Sequence, residues 1–201
     1  MLTAGVARRP SKPQLAAVAL VVVLLALAAI PTVALWRAFG PRTNMAPDFT
    51  LTDQNGAPFT LSALRGTPVV IFFGYTHCPD TCPATLARLA RAVASPSVPR
   101  DVRVAFITVD PKRDSPATLR RYLRVFGAGF TGLTGSLSAL EPVYTAYDAW
   151  RENVPVEGGG RDYAVAHSAA LYFIGRTGTI KGFGDWKDGI PSLISHLKEF
   201  Q

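Results

Sequence analysis

Phe72-Phe73-Gly74-Tyr75-Thr76-His77-Cys78-Pro79-Asp80-Thr81-Cys82-Pro83 contains both cysteines of the 201-residue chain, with three residues between them. The run leading in, Pro68-Val69-Val70-Ile71-Phe72-Phe73, is continuous, β-branched and aromatic, the mark of a central strand covered on both faces. The segment leading out, Cys82 to Val93, sets Leu86, Leu89 and Ala90 at i, i+3 and i+4 and reads as a helix. Two thiols at the mouth of a strand–loop–helix unit suit redox or metal chemistry. Their spacing is about one helical turn, so both sulfurs face the same way when the second lies in the first turn. A helix N-terminus favours the thiolate, which is both the nucleophile of disulfide exchange and a soft metal ligand. Pro79 and Pro83 stiffen the loop. A purely structural disulfide is the plain alternative, but closing so short a loop gains little chain entropy.

Working outward, Asp48-Phe49-Thr50-Leu51-Thr52 alternates as a half-buried strand, with Asn55-Gly56 as its turn and Phe59-Thr60-Leu61 returning. Val102 to Val109 reads as a second buried strand. Ser115-Pro116 opens a helix with Leu119, Tyr122, Leu123 and Phe126 on one face, and Leu137, Leu140, Val143, Tyr144 and Tyr147 mark another. Glu152 to Tyr163, with its run of three glycines, reads as a mobile loop. Ala169–Ile174, a turn at Arg176-Thr177-Gly178 and Thr179–Phe183 form a hairpin, and Ile190 to Phe200 a closing helix. The order predicts an α/β fold, a central sheet flanked by helices with an added β-hairpin, in the thioredoxin-like arrangement. The C-terminal end of a strand feeding a helix is where such sheets place ligands.

The N-terminal part is different in kind. Leu15 to Trp36 carries no charge and is mostly apolar, with Arg8, Arg9 and Lys12 before it and Arg37 and Arg42 after it. Roughly 20 apolar helical residues cross a bilayer, so residues 15–36 are expected to be a transmembrane anchor. A signal peptide cleaved near Thr32-Val33-Ala34 is the other reading. Residues 1–14 then form a cytoplasmic N-terminus, 37–45 a linker, and 46–201 the globular domain. The chain's formal charge of +7 misleads as a clue to nucleic acid. Residues 1–44 hold five of the 21 basic side chains and none of the 14 acidic ones, leaving 16 against 14 in the remainder. A phosphate-binding role has no electrostatic support.

Phe73-Gly74-Tyr75-Thr76-His77-Cys78-Pro79-Asp80-Thr81-Cys82-Pro83 closely resembles the metal-binding motif of the SCO/SenC family, copper-binding assembly factors of cytochrome c oxidase. The resemblance continues through Thr108-Val109-Asp110-Pro111-Lys112-Arg113-Asp114 and Gly132-Leu133-Thr134-Gly135, and returns at Asp162-Tyr163-Ala164-Val165-Ala166-His167-Ser168 and Tyr172-Phe173-Ile174-Gly175. It implies one copper ion per domain, as Cu(I) or Cu(II), on Cys78, Cys82 and His167. It implies delivery to a copper-receiving oxidase subunit, and, with the anchor, a domain on the periplasmic side of a bacterial inner membrane. A thiol reductase or another copper chaperone is the implied supply partner. The chemistry agrees: two thiolates and an imidazole make a three-coordinate soft site suited to Cu(I), whereas a closed zinc site usually has four protein ligands. Two readings of Asp110 stand side by side: it orients His167 or a copper-bound water from behind, or it simply starts a turn. His77 is expected to point away from the sulfurs, and His196 to lie on the surface.

The rival from another class is a general extracytoplasmic thiol–disulfide oxidoreductase or redox sensor without copper delivery, using Cys78 and Cys82 alone. The opening Ala46-Pro47-Asp48-Phe49 also looks like the start of peroxiredoxins. Those enzymes place threonine three positions and proline seven positions before the peroxidatic cysteine. Here Tyr75 and Ile71 occupy those positions for Cys78, and Pro79 and Tyr75 for Cys82, so peroxidase chemistry is not expected.

Overall fold

The computed structural model describes residues 44–156 and 163–200. The apolar run 15–36 and the glycines at 158–160 lie outside the described residues. Among the described residues no helix is long and apolar enough to cross a membrane.

Asn44–Gln201 forms one compact unit. Its strands are β1 (Thr50–Asp53), β2 (Pro58–Thr60), β3 (Val69–Gly74), β4 (Arg103–Thr108), β5 (Phe130–Thr134), β6 (Arg151–Pro155), β7 (Tyr163–His167), β8 (Ala170–Ile174) and β9 (Ile180–Asp185). Its α-helices are α1 (Thr81–Val93), α2 (Pro116–Leu123), α3 (Leu137–Ala146) and α4 (Ile190–Lys198), with a 3-10 turn at Leu61–Leu64. Seven strands make one mixed sheet in the order β2-β1-β5-β4-β3-β8-β9. β3, β4 and β5 run parallel, and β1 and β8 flank them antiparallel.

β3 lies inside this sheet between β4 and β8, and its burial explains its composition: Val69 to Phe73 are at most 1% exposed. Alternate side chains feed two layers. Phe72 meets Phe106, which meets Tyr122 of α2, and Phe173 stacks on His196 of α4. On the other face Phe73 packs edge-on against Tyr144 of α3 and beside Tyr147 just beyond it. α1 packs against α4, with Cys82, Leu86, Leu89 and Ala92 buried along one stripe. The predicted α/β sheet with helices on both faces is therefore the observed architecture.

The structure differs from the sequence reading in three places. The first half of the expected loop, together with Tyr163, belongs to a second, two-stranded sheet: β6 pairs antiparallel with β7 from Arg151↔His167 to Pro155↔Tyr163. β6 exposes most of its residues, so it has no apolar alternation to announce it. β5 was also hidden, because Gly132 interrupts its pattern. That glycine is needed where α2 lies directly on the strand, since a Cβ there would sit 2.7 Å from Leu123 Cδ1 and 2.8 Å from Leu119 Cβ. His196, expected on the surface, is half-buried against Phe173 with ring centroids 4.6 Å apart.

Gly74 ends β3 under similar crowding. A Cβ there would meet Phe106 Cε2 at 2.6 Å and the Cys82 sulfur at 3.0 Å. Phe106 is fully buried and has no free direction to move. Gly74→Ala is expected to cost about 1–3 kcal/mol, the usual range for overpacking, measured as a lower urea midpoint at unchanged m-value.

Candidate metal centre

The chain leaves β3 at Gly74 and turns through Tyr75–Asp80 before α1 begins at Thr81. Cys78 lies in that turn, half-buried, and Cys82 is the second residue of the helix, fully buried. Both thiols are free. No acidic residue occupies the first turn of α1, and the Asp80 side chain does not cap it, so its unpaired N–H groups remain for the sulfur. The Cys82 backbone N–H donates to Cys78 Sγ at 3.4 Å.

This arrangement splits the two thiols. The Cys82 S–H donates to the Cys78 sulfur, and the backbone N–H groups of Cys82 and Asp80 and the nearby His167 add to it, pulling Cys78 down to about 5 against the opposing effect of burial. The same bond, reinforced by burial, pushes Cys82 far up. Near neutral pH the pair is one thiolate facing outward and one thiol held beneath it.

His167 is the last residue of β7. Its Nδ1 lies 2.7 Å from the Ser168 carbonyl oxygen. A carbonyl only accepts, so Nδ1 carries the proton and the Nε2 lone pair is left for a ligand. Burial lowers its pKa, which keeps the imidazole neutral, as metal ligation requires. Tyr75 meets the His167 ring edge-on, centroids 5.8 Å apart, and the Val165 backbone hydrogen-bonds the Tyr75 phenol. His167 thus stands within electrostatic reach of Cys78. Among the described residues, however, no three His, Cys, Asp or Glu side chains are gathered closely enough to hold a metal. The dithiol half is formed, and the imidazole stands beside it on a separate hairpin.

His77 turns its ring nitrogen to Thr76 and Asp114. Its Nδ1 is 3.1 Å from Thr76 Oγ1 and 3.9 Å from Asp114 Oδ1. Asp110 does open a turn, accepting at its carbonyl from the N–H groups of Arg113 and Asp114. Its carboxylate, 1% exposed, accepts from Arg113 Nε and, at 2.8 Å, from the Tyr163 hydroxyl. Asp110 therefore reaches the β7 strand at its first residue, while the ring of His167, at its last, bonds Ser168.

Asp114 was not singled out from the sequence. It is fully buried, and its carboxylate accepts from Thr76 N (3.1 Å), Thr76 Oγ1 (2.6 Å) and Thr108 Oγ1 (2.7 Å). It pins the start of the cysteine loop to the end of β4. Burial raises its pKa despite those donors. The signal was faint: Asp114 ends the Asp110–Asp114 segment, where an acidic residue in a turn reads as solvated.

A family model described as SCO1/SenC matches residues 38–200. The mitochondrial SCO2 homolog of Mus musculus is 38% identical over 155 residues, which make up 75% of this chain and 60% of that protein, so the chain spans less than two thirds of this relative. Among solved structures, Arabidopsis thaliana ScoI with copper bound superposes with a TM-score of 0.71 at 30% identity, covering 78% of this chain and 97% of that one. Bradyrhizobium japonicum ScoI with copper bound gives a TM-score of 0.66 at 36% identity, covering 78% and 99%.

The thiol asymmetry sets a pH profile. In metal-free protein, iodoacetamide alkylation of Cys78 should rise through a midpoint near 5 and then stay flat to pH 8. An unperturbed thiol titrates near 8.5. Removing the main donor in Cys82→Ala should move the midpoint up by more than one pH unit, read by mass spectrometry of the alkylated peptide.

Proposed function

The chain belongs to the SCO1/SenC family, and on that basis we propose that it takes up one copper ion at Cys78, Cys82 and His167 and passes it to the dinuclear copper centre of a cytochrome c oxidase subunit. The observation that carries the reading is the pairing of a Cys78 thiolate with a buried Cys82 thiol, beside a neutral imidazole with Nε2 free. Two soft sulfurs and one nitrogen satisfy Cu(I) with three ligands, and a fourth donor accommodates Cu(II). The copper-bound relatives support the choice of metal. Binding releases the Cys82 proton, since the metal takes both sulfurs as thiolates. Cys78, the more exposed sulfur, is where an incoming ligand from the acceptor exchanges first. Cys82, held under the loop, leaves last.

The run 15–36 anchors the domain to the membrane in this reading, with the basic N-terminal flank on the cytoplasmic side. Copper insertion then takes place outside the cytoplasm, where the receiving cysteines tend to be oxidised.

A second reading uses the same thiols and rests on their asymmetry. The Cys78 thiolate attacks a disulfide of the target and displaces one of its sulfurs as thiolate. Cys82 loses its proton and attacks the resulting mixed disulfide at Cys78. The products are a Cys78–Cys82 disulfide and a target dithiol, two electrons having moved from this chain to the target. A thiol reductase resets the pair. Reduction followed by metal insertion makes the two readings consecutive steps at one site.

Cys78→Ala and Cys82→Ala should each abolish one-to-one copper binding, measured by metal analysis and a competing chelator on the purified chain. His167→Ala should weaken Cu(II) at least tenfold, since removing a ligand costs no less than the roughly 10- to 100-fold of removing a residue that orients one. Unchanged Cu(II) affinity in His167→Ala, with disulfide exchange intact, would leave the oxidoreductase reading in place of copper delivery.

A further inference from the structure

The third ligand sits on an element outside the main sheet. β6 and β7 pair only with each other. A lone two-stranded hairpin is marginal by itself, so its position depends on what fastens it to the body. Val165 of β7 is buried in the core beneath it, and the polar fastenings at the Tyr163 end converge on one side chain. Arg113 Nη1 donates to the Tyr163 carbonyl oxygen at 3.0 Å, and its guanidinium lies 3.8 Å above the Tyr163 ring. Its Nε donates to the buried Asp110 carboxylate, which also accepts the Tyr163 hydroxyl. On its other side the guanidinium stands 5.8 Å from the ring of Tyr75, in the cysteine loop, and Tyr75 meets His167. Arg151 adds a bond from Nε to the Val109 carbonyl.

We propose that Arg113 is the positioning residue of the copper site: held by Asp110 between Tyr163 and Tyr75, it docks the His167 hairpin onto the cysteine loop so that the imidazole completes the ligand set. This rests on the copper reading of Cys78, Cys82 and His167. The argument is geometric. Arg113 touches the first residue of β7 through its carbonyl and its ring, and faces the aromatic residue against which the last residue of β7 packs. A planar guanidinium serves both faces and the carboxylate at once. A lysine ammonium keeps the charge but has neither the fork nor the flat stacking surface. Arg113 is not a ligand, and the dithiol half of the site is complete without it.

The test has a copper-free arm and a copper arm, both on the whole chain. In Arg113→Lys without metal, the nuclear Overhauser contact between the Tyr75 and His167 rings should be lost and amide exchange across β6–β7 should quicken, while amide protection in β3 and β4 stays unchanged. In the copper arm, Arg113→Lys should still bind Cu(I) one-to-one through the thiolates. Its Cu(II) electron paramagnetic resonance spectrum should lose the imidazole nitrogen and match that of His167→Ala. Cu(II) affinity should fall roughly 10- to 100-fold, the range for residues that orient a metal ligand. Tyr163→Phe, which removes only the hydroxyl on Asp110, should show the same change in smaller degree. A retained ring contact in Arg113→Lys overturns the proposal whether or not copper binds. So does a lost contact with a wild-type Cu(II) spectrum. A His167→Ala spectrum identical to wild type overturns instead the copper reading beneath it, and the copper-free arm tells the two failures apart.

Discussion

Cys82 lies against the end of β3 because Gly74 has no side chain. The sulfur occupies space that any Cβ would contest, 3.0 Å from where that atom would stand, and the Tyr75 backbone hydrogen-bonds it there. From that position the Cys82 thiol reaches Cys78. The thiolate, the direction in which the loop turns, and the entry of α1 into the α1–α4 layer all follow from this close approach of helix to strand. Substrate-facing chemistry at the loop therefore depends on packing at the most buried strand of the protein, where interiors tolerate little change in volume.

A polar device holds the other side of the loop. The Asp114 carboxylate takes three hydrogen bonds in a site closed to solvent, two from Thr76 and one from Thr108. Thr134 donates to the backbone carbonyl of the same residue. The ends of β3, β4 and β5 are thus tied to one residue. A buried carboxylate is tolerable only when its acceptor capacity is used, and here the groups that use it belong to the strands that define the site. Packing fixes the sulfur from beneath while this network fixes the chain leading to it.

Much of this was legible in the sequence, for reasons that differ by residue. β3 announced itself because a strand covered on both faces must be apolar throughout. The cysteine pair and His167 were readable through a resemblance carried by several separate motifs. β5 was missed since its middle residue is a glycine that makes room for Leu119 and Leu123, a demand of tertiary contact that leaves no apolar period. β6 was missed since most of its side chains are solvated and leave no apolar alternation. Arg113 and Asp114 were quoted within a motif, yet their surroundings depend on residues distant in sequence: Tyr163 for one, and for the other Thr76 and Thr134, which converge with the nearby Thr108. A charged residue in a turn looks the same in sequence whether it ends in water or under a strand.

The self-contained ladder of β6 and β7 has a consequence for release as well as for binding. A ligand mounted within the seven-stranded sheet moves only by breaking ladder bonds of the core, so the cost of letting go would be set by fold stability. The His167 imidazole instead stands on the β6–β7 ladder, whose base is closed by the Trp150–Ser168 backbone bond at 3.1 Å and whose Val165 is buried in the core. On the proposed copper reading, retention of the metal is then set at the rim by the contacts of the β6–β7 ladder, and fold stability by the seven-stranded sheet.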